Sequence, residues 1–274
     1  MEELEELADW EDQLTKWLES LRQRILAINA VVLDGLYEFI DKVDNTLSLG
    51  ENLNVLLAAQ FQLPRLIQSA GYGVMVNNLV TKIGETITKV DSYLNKVFNN
   101  QPDKIRKVTN TFTAALAKVR ESLLGEGIQQ GMVGEIVKTM QFHIYSKSTK
   151  TAFREALRKV LGNDGQVVKS LTTYSSYALY QYSRAYTLEV TKELDAQFYY
   201  YMGNRIETTR EFCHHRHGKA FTKKQVLSWL KLDWKGKIPG TSILSIFMYV
   251  GGYNCRHRLI PISEEMFIRL GGIA

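Results

Sequence analysis

Apolar residues recur at threes and fours along the first part of the chain, at Trp17, Leu21, Ile25, Ile28, Val32, Leu36, Ile40, Val43 and Leu47. That spacing keeps one face of a 3.6-residue helix apolar and predicts a helix of about thirty residues. Gly50 stands where a left-handed residue would close it. The stretch NVLLAAQFQLPRLIQSAGYG is also helix-like, with Pro64 expected to kink it and Gly71 and Gly73 to interrupt it. Val76, Val80, Ile83, Ile87, Val90, Leu94 and Val97 then alternate spacings of four and three. This heptad pattern predicts a coiled-coil-like seam against a partner helix, in the same chain or in another subunit.

Residues 99–102 break that helix, and Ile105, Val108, Phe112, Leu116, Val119 and Leu123 mark the next, with Gly125 and Gly127 as its end. Shorter helices are expected over 131–143 and 148–161, the second closed by Gly162 and the turn-prone Asn163-Asp164-Gly165. The segment 167–197 is rich in tyrosine and has few breakers, so it too reads as helix, and Phe198-Tyr199-Tyr200-Tyr201 could begin a strand. Its tyrosines suit amphipathic packing, with rings buried and hydroxyls reaching water, better than base stacking, because few basic residues accompany them.

After Gly203 the texture changes. Apolar periodicity fades and Gly, Lys, Arg, Trp and His rise. A short helix is expected over 222–232 with Thr222 as its N-cap, then a loop through LDWKGKIPGTS, a turn at Gly251-Gly252, a strand over 253–262, and a final helix from Ser263-Glu264-Glu265. The expected fold class is therefore mainly α: a long, partly coiled-coil-like helical body over residues 1–203, followed by a small α+β module over 204–274.

Composition changes this picture only by its placement. The chain has 274 residues, 45% hydrophobic and 23% charged, with a net charge of +5. Residues 205–258 carry eleven lysines and arginines against three carboxylates, a net of +8, so the remainder is slightly acidic. A basic module attracts polyanions through sequence-blind, salt-sensitive contacts. Arg210, Arg216, Lys219, Lys223, Lys224, Lys235, Lys237, Arg256 and Arg258 are its candidate DNA-proximal patch. The acidic start lacks the basic and apolar regions of a signal peptide, and no uncharged apolar run approaches the ~18 residues of a membrane span.

Both cysteines and four of the five histidines also lie in this last quarter. Cys213-x3-His217 has a spacing that zinc sites use, and Cys255-x-His257 would point two ligands to one face of a strand. Cys213, His217, Cys255 and His257 thus make a candidate tetrahedral set for one structural zinc, with His215 as an alternative to His217. Buried unpaired thiols, solvated loop histidines and a Cys213–Cys255 disulfide are the competing readings. His143 stands alone as a surface or core residue. A metal-dependent nuclease could use the same histidines, but hard-metal chemistry wants carboxylates, and only Glu207, Glu211 and Asp233 lie between Arg205 and Arg258. No residue is assigned a catalytic role, and the module reads more as structure than as enzyme.

The elements Thr209-Arg210 with Cys213, Gly218-Lys219 with Phe221, and Asn254-Cys255-Arg256-His257 followed by an apolar-Pro step occur in this order. They resemble the C-terminal module of the phage minor head proteins of the Mu F-like head morphogenesis family, which carries T-R-x-x-C, G-K-x-F/Y and N-C-R-C or N-C-R-H elements. The resemblance covers about residues 182–262. The chain departs from the pattern in having no second cysteine soon after Cys213 and in ending the last element C-R-H. What the resemblance implies is a minor capsid protein of the virion, assembled in the host cytoplasm and acting in head morphogenesis. Its helical body would dock on the portal or major capsid protein, and its basic module would lie close to packaged DNA. A metal-dependent nuclease or toxin-like effector carried in the virion is the alternative.

Overall fold

The computed structural model describes residues 2–43 and 49–272, with the side chains of all of these except 126–130. Helix dominates. The first helix, α1, spans Glu2–Lys42 and already includes the acidic N-terminus. Leu21, Ile25, Ile28, Val32, Leu36, Ile40 and Val43 of the expected stripe are buried, and Leu47 lies outside the described residues. Gly50 does not stop a helix; it sits in the first turn of α2, Leu49–Ser69. Pro64 lies inside α2, where Leu56, Ala59, Leu63 and Ile67 are buried. Burial of that face outweighs the hydrogen bond a proline forfeits. The break comes at Gly71, whose φ of +101° suits glycine. Gly73 is helical, within α3, Tyr72–Val97.

Pro102 opens α4, Pro102–Ile128, at the position a helix tolerates best. Gly125 and Gly127 do not end it, because it runs on through a π-helical turn, Gln129–Val133, into α5, Gly134–Tyr145. Next come α6, Lys150–Leu161, capped by the Thr149 side chain, and α7, Gln166–Leu194. Beyond them lies a three-stranded antiparallel sheet. Its strands are β1, Phe198–Met202, β2, Ala220–Thr222, and β3, Arg258–Ile262, in the order β2-β1-β3. The expected strand over 253–262 is confined to Arg258–Ile262. Upstream of it Asn254 has φ +54° and the chain turns, so it cannot extend the ladder.

Two compact units emerge, neither contiguous in sequence. One comprises Met1–Trp17, Thr81–Leu116 and Ser176–Ala274; the other comprises Leu18–Val80 and Ala117–Ser175. In the first unit the seam of α3 has internal partners. Trp10 Nε1 donates to Thr86 Oγ1 at 3.3 Å, and the Tyr186 hydroxyl of α7 donates to Asp91 at 3.1 Å. A Cβ on Gly84 would meet Leu116 of α4 at 3.4 Å. In the second unit Asn29 Nδ2 donates to Leu161 O at 2.8 Å, and Tyr72, buried, donates to Leu123 O.

The sheet positions the candidate site. In β1 the side chains of Tyr199 and Tyr201 enter the core while Tyr200 between them is half-buried, the alternation a strand requires. β3 is buried along its whole length, and its Pro261, on an edge strand, accepts a hydrogen bond from the Tyr93 hydroxyl at 3.1 Å. Tyr201, Phe212, Val226, Trp229, Ile246 and Val250 form a core cluster that includes both cysteines.

Candidate metal centre

Three segments build the site. The first is α8, Glu211–His214, a single turn that buries Phe212 and Cys213. Cys213 therefore sits on a helical turn. The second is β1, whose Tyr201 hydroxyl donates to Cys213 Sγ at 3.3 Å. The third is the loop from Gly251 to His257, which follows α10, Ile246–Tyr249, and leads into β3. Cys255 and His257 reach one point without a strand because the loop folds back on its own sulfur. The backbone N–H of His257 donates to Cys255 Sγ at 3.3 Å.

Cys213 Sγ lies 3.9 Å from Cys255 Sγ, and Cys255 Sγ lies 3.8 Å from His257 Nδ1. The three ligand atoms all stand within 4.8 Å of one another, and all three residues are buried. Zinc–sulfur bonds near 2.3 Å and zinc–nitrogen bonds near 2.0 Å give tetrahedral edges of about 3.5–3.8 Å, close to the two edges that meet at Cys255 Sγ. Both cysteines are free. The hydrogen bond between the sulfurs, and after it burial, raises Cys213; the same bond draws Cys255 well below the usual thiol range against the opposing effect of burial. His257 and the Arg184 guanidinium assist that lowering. The thiolate is the form of cysteine that a metal takes.

Two glycines make room for this packing. A Cβ on Gly251 would lie 2.4 Å from Cys213 Sγ and 2.8 Å from Cys255 Sγ. Gly203, with φ +144°, faces His257, whose Cα would lie 2.7 Å from an added Cβ.

His217 stands apart from the triad. The chain turns after α8 so that the His217 N–H bonds to Cys213 O, and its ring lies edge-on to His257, 5.7 Å between centroids. Burial, with the charge of His257 after it, lowers its pKa. Its Nδ1 and the Nε2 of His257 are buried without hydrogen-bond partners. His215 is exposed and faces Glu211 at 3.2 Å, turned away from the cysteines. The expected four-ligand set is therefore met by three residues.

The sequence reading overlooked the residues that hold this triad. Arg184, buried in α7, donates to His257 O at 2.9 Å, to Met248 O at 3.3 Å and to Cys255 O. Arg258 is itself interior: it donates to Ser183 Oγ at 2.5 Å and pairs with Glu11 of α1. It cannot belong to a DNA-proximal patch. Glu11 was detectable as a carboxylate on the apolar stripe Leu4, Leu7, Leu14, Leu18, where only a paired acid can sit.

The remaining basic residues divide by environment. Lys219, Lys224 and Lys235 are exposed. Lys223 faces Asp195 at 3.5 Å, and Lys237 donates to Leu230 O and Leu232 O. Arg216 lies flat over Phe212, 3.7 Å from its ring centre, and Arg210 donates to Tyr253 O. Arg256 is half-buried at the mouth of a cleft beside the triad. No protein family, curated protein or solved structure matches the chain.

Proposed function

We propose that this chain is a minor head protein of a phage, of the Mu F-like kind, acting in head morphogenesis. Its helical body docks on the portal or major capsid protein. Its basic module lies close to packaged DNA and is locked by one structural zinc on Cys213, Cys255 and His257. One observation carries this reading. The three sequence elements of the resemblance, the third more than thirty residues beyond the second, meet around a single core. Cys213 and Cys255 touch through their sulfurs, and Phe221 packs on the same cluster. The Gly218 N–H donates to the Tyr201 carbonyl, and the Tyr201 N–H donates to the Lys219 carbonyl. A motif set that closes around one core is what a metal-locked module needs, since a bound metal adds folding energy.

Tagging the chain in the cell that encodes it, purifying assembled heads and cross-linking them tests the role. A few copies per head, linked to portal or major capsid protein, are expected. A chain missing from purified heads overturns the proposal. Metal analysis of the purified protein should give one zinc per chain.

The alternative, a metal-dependent nuclease or toxin-like effector, draws on the triad itself. Three protein ligands leave a coordination position of the kind catalytic zinc uses. Metal-loaded protein that cuts DNA, with activity lost on His257→Ala but not on His215→Ala, would favour it.

A further inference from the structure

The triad is not sealed on every side. It forms part of the wall of a cleft of about 220 Å³, together with Asn204, Thr208, Arg210, Asn254 and Arg256. Asn254 and Thr208 are exposed and Arg256 is half-buried. No carboxylate lines this cleft among the described residues. The nearest buried acid, Glu11, is already committed to Arg258.

The charges decide what such a cleft accepts. A divalent ion on two thiolates and a neutral imidazole is balanced, so Arg210 and Arg256 leave the cleft cationic. A tetrahedral ion on three protein ligands also needs a fourth donor. Neither His217 nor His215 belongs to the triad. We propose that the fourth position, with Arg210 and Arg256, takes a phosphoryl group: one oxygen on the ion, the others accepting from the guanidiniums. This rests on the metal reading above. A carboxylate offers two oxygens and must choose between ion and arginines, whereas a phosphoryl group has enough to meet all three. Three free oxygens are what a terminal or inorganic phosphate supplies, whereas a backbone phosphodiester has two, so the ligand is a terminal phosphate.

Cobalt(II) in place of zinc makes the site visible, since thiolate-to-cobalt bands report the sulfurs and d–d bands the fourth ligand. The full chain, loaded with cobalt, is titrated with inorganic phosphate, then with one oligonucleotide in 5′-phosphorylated and unphosphorylated forms. Saturable d–d shifts with retained thiolate bands are expected. Arg256→Gln should raise the half-saturating phosphate concentration at least about tenfold, as expected for a lost charge-assisted contact. A response only to the phosphorylated oligonucleotide supports the proposal; an equal response to both, which the two-oxygen backbone would have to give, overturns it. Thiolate bands that never form defeat the metal reading itself. Thiolate bands that form while the d–d bands ignore phosphate overturn this inference alone, as does a phosphate shift unchanged in Arg256→Gln. Bands that vanish on adding phosphate show stripped cobalt and likewise count against it.

Discussion

Glu11 of α1 and Arg258 of β3 form an ion pair in which each side chain is only 2% exposed. The two residues stand near opposite ends of the chain, yet Arg258 is the residue directly after His257, a member of the candidate metal triad. Asn204 reinforces the junction, donating to Glu11 O at 2.9 Å and to Thr15 Oγ1 at 2.7 Å. Burial raises the pKa of Glu11, while Arg258, Arg184 and His257 pull it back.

Removing one partner of that pair strands the other charge away from water. Glu11→Ala is expected to destabilise the protein by about 3–5 kcal/mol, whereas the double change Glu11→Leu with Arg258→Met should recover most of the loss. Urea denaturation of the two single variants and the double variant checks this. A double variant no more stable than the worse single would show that the pair does more than neutralise itself.

Gly251 is the closest glycine to the sulfurs, and its substitution isolates their packing. In Gly251→Ala the new methyl would press on Cys213 Sγ at 2.4 Å and on Cys255 Sγ at 2.8 Å. The expected cost is about 1–3 kcal/mol, the usual range for an overpacked core. Zinc content should fall in parallel, because the sulfurs must separate. Wild-type stability together with wild-type zinc content would refute this packing.

His217 separates a three-ligand site from a four-ligand one. It looked like a ligand on spacing alone, but its ring lies beside His257 and outside the triad. His217→Ala should therefore keep close to one zinc per chain, while His257→Ala and Cys255→Ser lose it. Elemental analysis after gel filtration reads this directly. Equal losses from all four single variants, His217, His257, Cys213 and Cys255, would restore the four-ligand set.

What the sequence made legible follows from how local each signal was. The N-cap at Thr222 and the start of the last helix at Ser263 are as expected, because a capping side chain and its N–H partner lie within three residues. Thr222 even forms a full capping box with Gln225. The heptad positions Val76, Ile83, Ile87, Val90 and Leu94 are buried for the same reason: a periodic face needs no knowledge of its partner. Breakers were less faithful. Gly73, expected to interrupt the chain, lies inside α3 because the burial of Tyr72, Met75 and Val76 beside it outweighs about 1 kcal/mol of local preference. The pairing of Cys213 with Cys255 and His257 was visible as composition. Glu11 stood out on its own apolar stripe, but its link, and that of Arg184, to the loop was not visible, since both come from helices far away in sequence and no spacing rule joins them to it.

His143 gives a pH-dependent prediction in the second compact unit. Its ring stacks on Phe153 at 5.3 Å with planes 8° apart, and its Nδ1 is buried without a partner. Burial lowers its pKa below the ordinary value near 6.5. The folded state then resists a proton that the unfolded chain accepts, so the unfolded state binds more protons once pH falls below about 6.5. Stability is complete above that pH and declines as acid moves it towards the folded-state value. His143→Phe keeps a ring on Phe153 and removes the titration. Denaturation midpoints at pH 7.5 and pH 5.5 should therefore differ less in the variant than in the wild type. An identical difference in both proteins would mean that His143 takes up its proton as readily folded as unfolded, and that its burial against Phe153 carries no electrostatic cost.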